Sequence, residues 1–267
     1  SSAMSDGPIL FLDSGIGGLP YLVSARHRMP QEDYVYLADR AAFPYGERSV
    51  PELQERLTGL IGEAMERFAP NAAVLACNTA SVAALSTVRE QFDLPIVGVV
   101  PAVKPAAQRS QNCRIGVLAT NATVRAHYLS DLIQSYAQGC TVIPIGAKEL
   151  VDYVEEEMVY AMPERHREVV DTVAARVEPY GVDTLVLGCT HFVHLFEDLQ
   201  AALGSGIRLV DSVEGVTRQL ERVATGEEEG LGRSAGSARL YMTADGFWRE
   251  SYRRIAERYE IVLEGVL

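Results

Sequence analysis

The sequence predicts an α/β protein. It has two similar domains, each with a mainly parallel sheet flanked by helices, related by pseudo-twofold symmetry, with an active site in the cleft between them. Three observations predict this. Short apolar runs alternate with longer helical patterns along most of the chain, which favours parallel sheets covered on both faces. The alternation then starts again: ILFLDSG (9–15) pairs with VLATNAT (117–123), VLACNT (74–79) with LVLGCT (185–190), and LPIVGVV (94–100) with IRLVDSV (207–213). Finally, VLACNTASVAAL (74–85) and LVLGCTHFVHL (185–195) each read as a strand that ends in a cysteine and runs into a helix. The carboxyl edge of such a sheet is where ligands bind.

Taken in order, Pro8–Leu12 is the first strand, and Asp13-Ser14-Gly15-Ile16-Gly17-Gly18 turns into a helix reaching about Arg28. Tyr34–Ala38 is a strand, Asp39–Ser49 a loop carrying Pro44-Tyr45-Gly46, and the stretch from about Pro51 to Phe68 a helix. Ala72–Ala76 is a strand ending at Cys77, its helix runs to about Phe92, and Pro95–Val99 is the next strand. In the second half, Arg114–Ala119, Cys140–Ile145, Thr184–Leu187 and Ile207–Val210 read as strands. Val124–Tyr136, the acid-rich Ala147–Met158 and Glu164–Val177 read as helices. Glu227–Ser237 is polar and glycine-rich and reads as a mobile loop. A final strand–helix–strand piece, Arg239–Thr243, about Ala244–Arg258 and Ile261–Leu263, is expected to return to the first half. The expected domains are therefore 6–101 plus 212–267, which is discontinuous, and 102–211.

A chain of 267 residues with 48% hydrophobic and 22% charged residues is an ordinary globular protein. Its net charge of −12 argues against a partner that is nucleic acid or an anionic membrane. No apolar run reaches the length of a membrane span and no signal peptide is visible. Cys77, Cys113, Cys140 and Cys189 lie far apart with no C-x-x-C pair. A disulfide framework and a zinc site are both unexpected, so no metal is predicted and the compartment is read as reducing and cytoplasmic.

Cys113 and Cys140 fit the role of small apolar core residues. Cys77 and Cys189 do not, because Asn78-Thr79 and Thr190-His191 follow them at expected helix N-termini. Unpaired N–H groups and a partial positive charge there stabilise a thiolate and can also hold a carboxylate. Two matched thiols suit inversion of a carbon stereocentre by proton transfer, which needs a base on one face and an acid on the other. Asp13 after a strand could equally be a helix N-cap, His191 a satisfied histidine, and Tyr45-Gly46 only a turn. The DSGIGG turn lacks the lysine of a P-loop and is read as giving backbone donors to a carboxylate. His27, His127, His166 and His194 are read as structural.

These two cysteine motifs, with FLDSGIGGL, FPYGERS, LATNATVRAHYL, LVDSVEG and the YMTADGFWRE tail, closely resemble the glutamate racemase family. Val193 departs from the proline or small residue usual after C-T-H and an aromatic. The resemblance implies that Cys77 and Cys189 are the acid/base pair, with Asp13 assisting Cys77 and His191 assisting Cys189. It implies that Asp13, Ser14, Tyr45, Gly46, Asn78, Thr79, Thr120, Thr123, Thr190 and His191 contact substrate, and that Glu155 in Val154-Glu155 is the remaining acid. It further implies interconversion of L- and D-glutamate without a cofactor, supply of D-glutamate for peptidoglycan in a bacterial cytoplasm, and a possible homodimer. The lysine count agrees: pyridoxal chemistry needs a lysine, and Lys104 and Lys148 are the only two. The alternatives are an aspartate racemase, where the second motif typically reads Cys-Thr-Glu, and a protein that restrains DNA gyrase.

Overall fold

The computed structural model describes residues 6–120, 122–224 and 234–267, with only the backbone of 122–126. Of the glycine-rich stretch 227–237 read as a mobile loop, 227–233 lies outside the described residues. The chain divides into two compact units, Ser1–Val99 with Val213–Leu267, and Val100–Ser212.

The elements follow in chain order. The first unit begins with β1 (Ile9–Asp13), α1 (Leu19–Arg28), β2 (Tyr34–Ala38), α2 (Val50–Phe68), β3 (Ala72–Leu75), α3 (Asn78–Gln91) and β4 (Ile96–Gly98). The second unit contains α4 (Val103–Arg109), β5 (Arg114–Ala119), α5 (Ala122–Tyr136), β6 (Thr141–Gly146), α6 (Glu149–Asp152), α7 (Pro163–Val177), β7 (Thr184–Leu187), α8 (Phe196–Leu203) and β8 (Arg208–Val210). The chain then returns to the first unit with α9 (Val213–Ala224), β9 (Ala238–Met242), α10 (Arg249–Arg258) and β10 (Val262–Val266).

The first sheet runs β10-β9-β2-β1-β3-β4 and the second β6-β5-β7-β8. All pairings are parallel. The order β2-β1-β3-β4 is repeated as β6-β5-β7-β8, which is the duplication the paired motifs predict. Strands β1, β2 and β3 are buried at every position, so ILFLD, YVYLA and AAVL are apolar runs without alternation. Edge strand β6 is mostly open to solvent and carries Thr141 and Pro144, as an edge tolerates. Helix α2 starts in a capping box, where the Ser49 hydroxyl accepts from the Glu52 N–H at 3.3 Å and the Glu52 carboxylate accepts from the Ser49 N–H at 2.8 Å. Among the described residues no helix is long and apolar enough to cross a membrane.

Two expectations are corrected. Cys113 and Cys140 are not separate core residues but form a disulfide. Register explains the pairing: Arg114 of β5 lies beside Thr141 of β6, so the two preceding residues enter the sheet side by side. Spacing alone gives no hint of this. The acid-rich stretch 147–158 is not one α-helix, since α6 spans only four residues and continues as a π-helical turn, Tyr153–Glu157.

The disulfide closes a loop of 27 residues, a constraint worth about 3 kcal/mol in the chain-entropy account. The Cys113→Ser/Cys140→Ser variant should therefore unfold at a lower urea concentration than the oxidised protein. Equal midpoints would contradict the bond.

Candidate active site

In the first unit the site grows from the ends of β1 and β3. The Ala76 N–H donates to the Leu12 carbonyl at 2.8 Å, which sets Cys77 beside Asp13 at the carboxyl edge. Cys77 has an extended backbone (φ −150°, ψ 128°) and caps α3, its sulfur accepting from the Ala80 N–H at 3.5 Å. Asn78, Thr79 and Ser81 on the first turn are buried. Ser81 is held on both sides, donating to the Leu75 carbonyl and accepting from the Val99 N–H. The Asn78 Oδ1 atom is buried without a hydrogen-bond partner, an acceptor that a ligand donor would satisfy.

Asp13 and Ser14 are buried. One Asp13 oxygen accepts from the Ser14 N–H at 2.7 Å and the other from the Gly18 N–H at 3.0 Å. Sequence reading assigns the donors of this turn to a ligand carboxylate, but two of them hold the Asp13 carboxylate instead. Gly18 must stay a glycine here, because a Cβ would lie 2.4 Å from Cβ of Ala76.

Tyr45 follows a cis Phe43–Pro44 bond and is 1% exposed. Its hydroxyl donates to Asp39 Oδ2 at 2.6 Å. Asp39 is fully buried at the end of β2 and also accepts from Arg56 Nε at 2.9 Å and from the Thr243 hydroxyl at 2.7 Å. Burial pushes the Asp39 pKa up, but the hydrogen bonds from Arg56, Tyr45 and Thr243 outweigh it and hold the carboxyl below its ordinary value. The Tyr45 phenol is pushed well above its ordinary value by burial, then by Asp39, Cys77 and Asp13. Tyr45 therefore keeps its proton and donates it in a hydrogen bond to the Asp39 carboxylate. Sequence reading missed Asp39 and Arg56, although Asp39 follows a buried strand just as Asp13 ends one.

In the second unit the Gly188 N–H donates to the Leu118 carbonyl at 2.7 Å, the counterpart of the Ala76–Leu12 bond. A Cβ on Gly188 would come 2.6 Å from that carbonyl oxygen. Cys189 has nearly the backbone of Cys77 (φ −141°, ψ 139°), but its side chain caps nothing. The α-helix expected directly after it is a 3-10 run, Thr190–Leu195, containing Val193, and α8 begins only at Phe196. Released from capping, the sulfur lies 3.6 Å from His191 Nδ1. His191 Nε2 lies 2.7 Å from Glu155 Oε1, and both side chains are buried. Glu155 is fully enclosed, whereas Glu156 and Glu157 are partly exposed. Thr190 is buried and Thr120 half-buried, while the Thr123 side chain lies outside the described residues.

The two corners differ in how they surround sulfur. Ala119 stands where Asp13 stands in the first unit, and Thr79 where His191 stands in the second. Burial lowers the His191 pKa, but hydrogen bonds to Cys189 and Glu155 and their negative charges outweigh it, so the ring is held well above its ordinary 6.5. An imidazolium between a carboxylate and a sulfur is placed to exchange a proton with that sulfur.

A raised folded pKa adds stability that is complete below the unfolded value of about 6.5 and is lost as pH rises through the folded value. The stability gap between the wild type and His191→Asn should accordingly shrink as pH rises above about 6.5. A gap that stays constant to alkaline pH in urea titrations would contradict the charged ring.

Comparison with known proteins gives one answer. The family model described as Asp/Glu/Hydantoin racemase matches residues 22–220. A glutamate racemase of Sphingopyxis alaskensis is 44% identical over 230 residues, covering 83% of this chain and 84% of that protein. A glutamate racemase of Treponema pallidum is 37% identical over 259 residues, covering 96% and 95%. The crystal structure of Escherichia coli glutamate racemase in complex with L-glutamate and the activator UDP-MurNAc-ala superimposes with a TM-score of 0.85 at 36% identity, covering 97% of this chain and 98% of that one. With these likenesses running almost end to end, the chain belongs to the Asp/Glu/Hydantoin racemase family, alongside its glutamate racemases.

Proposed function

We propose that this protein interconverts L- and D-glutamate without a cofactor, with Cys77 and Cys189 exchanging protons with opposite faces of the α-carbon. One observation carries the reading: the two free cysteines occupy the same place in a repeated sheet order, with nearly the same backbone angles and one equivalent hydrogen bond before each. In one direction the first sulfur, as thiolate, takes the α-proton while the second, as thiol, delivers one. In reverse the roles exchange. Asp13 assists Cys77, and His191, backed by Glu155, assists Cys189.

The substrate contacts we propose are Ser14, Tyr45-Gly46, Asn78, Thr79, Thr120, Thr123 and Thr190, with Asp13 and His191 touching both substrate and sulfur. Tyr45 contributes through its backbone, since its hydroxyl is engaged by Asp39. The unpartnered Asn78 oxygen suits an ammonium donor. Charge developing at the α-carbon needs fixed donors in a dry site. A pyridoxal alternative finds little support in the lysines, because Lys104 and Lys148 are both exposed.

The proposed role is supply of D-glutamate for peptidoglycan in the cytoplasm, as a homodimer, with no nucleic-acid or membrane partner. Two reduced catalytic thiols fit a reducing compartment, and the Cys113–Cys140 bond is the one feature that pulls the other way. Aspartate is the rival substrate to assay; His191, standing where aspartate racemases typically carry glutamate, favours glutamate over it.

Cys77→Ala and Cys189→Ala should each lower racemization of both glutamate enantiomers by about 1000-fold or more, the scale of a lost acid or base. Circular dichroism of pure L- or D-glutamate follows the reaction directly. Near-normal turnover in either variant sinks the two-thiol proposal.

A further inference from the structure

Outside the site already described, a polar chain in the second unit, buried at Tyr153 and open to solvent at Asp198, has no assigned role. The Tyr153 side chain is buried, and its hydroxyl lies 2.5 Å from His166 Nδ1. The other ring nitrogen, Nε2, lies 2.7 Å from Asp198 Oδ2. A carboxylate only accepts, so Nε2 carries a hydrogen, and in the neutral ring Nδ1 accepts from the Tyr153 hydroxyl. Donors and acceptors are then matched from end to end.

The elements that this chain joins are informative. Tyr153 opens the π-helical turn Tyr153–Glu157, which is closed by the Met158 N–H donating to the Tyr153 carbonyl at 2.8 Å. Glu155, the partner of His191, sits in the middle of that turn. Asp198 lies in the first turn of α8, directly after the 3-10 run that carries His191. His166 stands on α7 between them. The residue before it, Arg165, grips the other end of the same π turn through Glu157 at 2.6 Å. The segment holding Glu155 and the segment holding His191 are thus joined twice: directly by the 2.7 Å Glu155–His191 contact, and again through Tyr153, His166 and Asp198.

A π turn is less regular than an α-helix and is found most often where function requires it. Left alone, it could relax toward α-helical geometry and rotate Glu155 off His191. Partners behind a functional histidine fix its ring orientation and protonation state. We propose that Tyr153, His166 and Asp198 are positioning residues that hold the π turn in place, keeping Glu155 on His191 and so His191 on Cys189. The brace serves one of the two sulfurs only, since no histidine stands beside Cys77 at the matching position, Thr79.

This inference rests on the racemase reading, and the test separates the two. Tyr153→Phe removes one hydroxyl, and Asp198→Asn alters the solvent-facing end and tests the brace should the first variant fold poorly. Both should lower kcat by about 10-fold, with KM for glutamate within about twofold of wild type. Because only the Cys189 step is weakened, the primary isotope effect with α-deuterated glutamate should rise for one enantiomer and fall for the other. In parallel, the imidazole N–H signals of His191 in proton–nitrogen NMR should shift in both variants, a readout that needs no turnover. Isotope effects that stay at wild-type values for both enantiomers overturn the inference, as do unmoved His191 signals. A wild-type protein that fails to racemize glutamate overturns the racemase reading instead, and the NMR result then decides the brace alone.

Discussion

The structure depends on a backbone constraint repeated in the two units. A strand buried on both faces ends in an N–H donated to the carbonyl of its parallel neighbour: Ala76 to Leu12, and Gly188 to Leu118. The next residue is a cysteine with extended backbone, and the chain turns helical directly afterwards. The position of each sulfur is therefore set by sheet register, among the least deformable features of a parallel α/β fold. Glycine is required where the backbone packs closely beside these corners, at Gly188 against Leu118 and at Gly18 against Ala76.

From that shared frame the corners have diverged electrostatically. Cys77 accepts from the first turn of α3 and stands near Asp13 and the Asp39–Tyr45 pair, so negative groups gather around it. Cys189 caps nothing and turns to His191, whose pKa, against the effect of burial, is raised well above its ordinary value by Cys189 and Glu155. One sulfur is governed by a helix N-terminus and carboxylates, the other by an imidazolium. The proposed racemization does not require the two corners to match. Each thiol needs only to serve as base in one direction and as acid in the other.

Much of this is legible in the sequence, and the reason is physical. Strands β2, β5 and β7 fall where the apolar runs Tyr34–Ala38, Arg114–Ala119 and Thr184–Leu187 begin and end, because burial at every position but Arg114 leaves no alternation to blur their limits. The cysteine corners stand out for the same reason, as polar residues following apolar runs. What escapes are features made by pairing across the fold. Cys113 and Cys140 meet only through the β5–β6 register. Asp39 gains its partners from α2 and the residue after β9. His166 looks like any surface histidine until α7 lies between the π turn and α8. The π turn itself escapes because a run such as YVEEE reads as ordinary helix, and the 3-10 run after Cys189 escapes because its apolar spacing also fits an α-helix.

The most direct test of the central claim, that two different sulfurs handle the departing and arriving protons, is the fate of the α-hydrogen in deuterated water. Each enantiomer of glutamate is allowed a small fraction of one conversion, and substrate and product are then separated and weighed by mass spectrometry. The account predicts deuterium at the α-carbon of the product and protium in the remaining substrate, from both directions. Product that keeps its substrate's own hydrogen in either direction would mean that a single group carries it across, and would contradict the account.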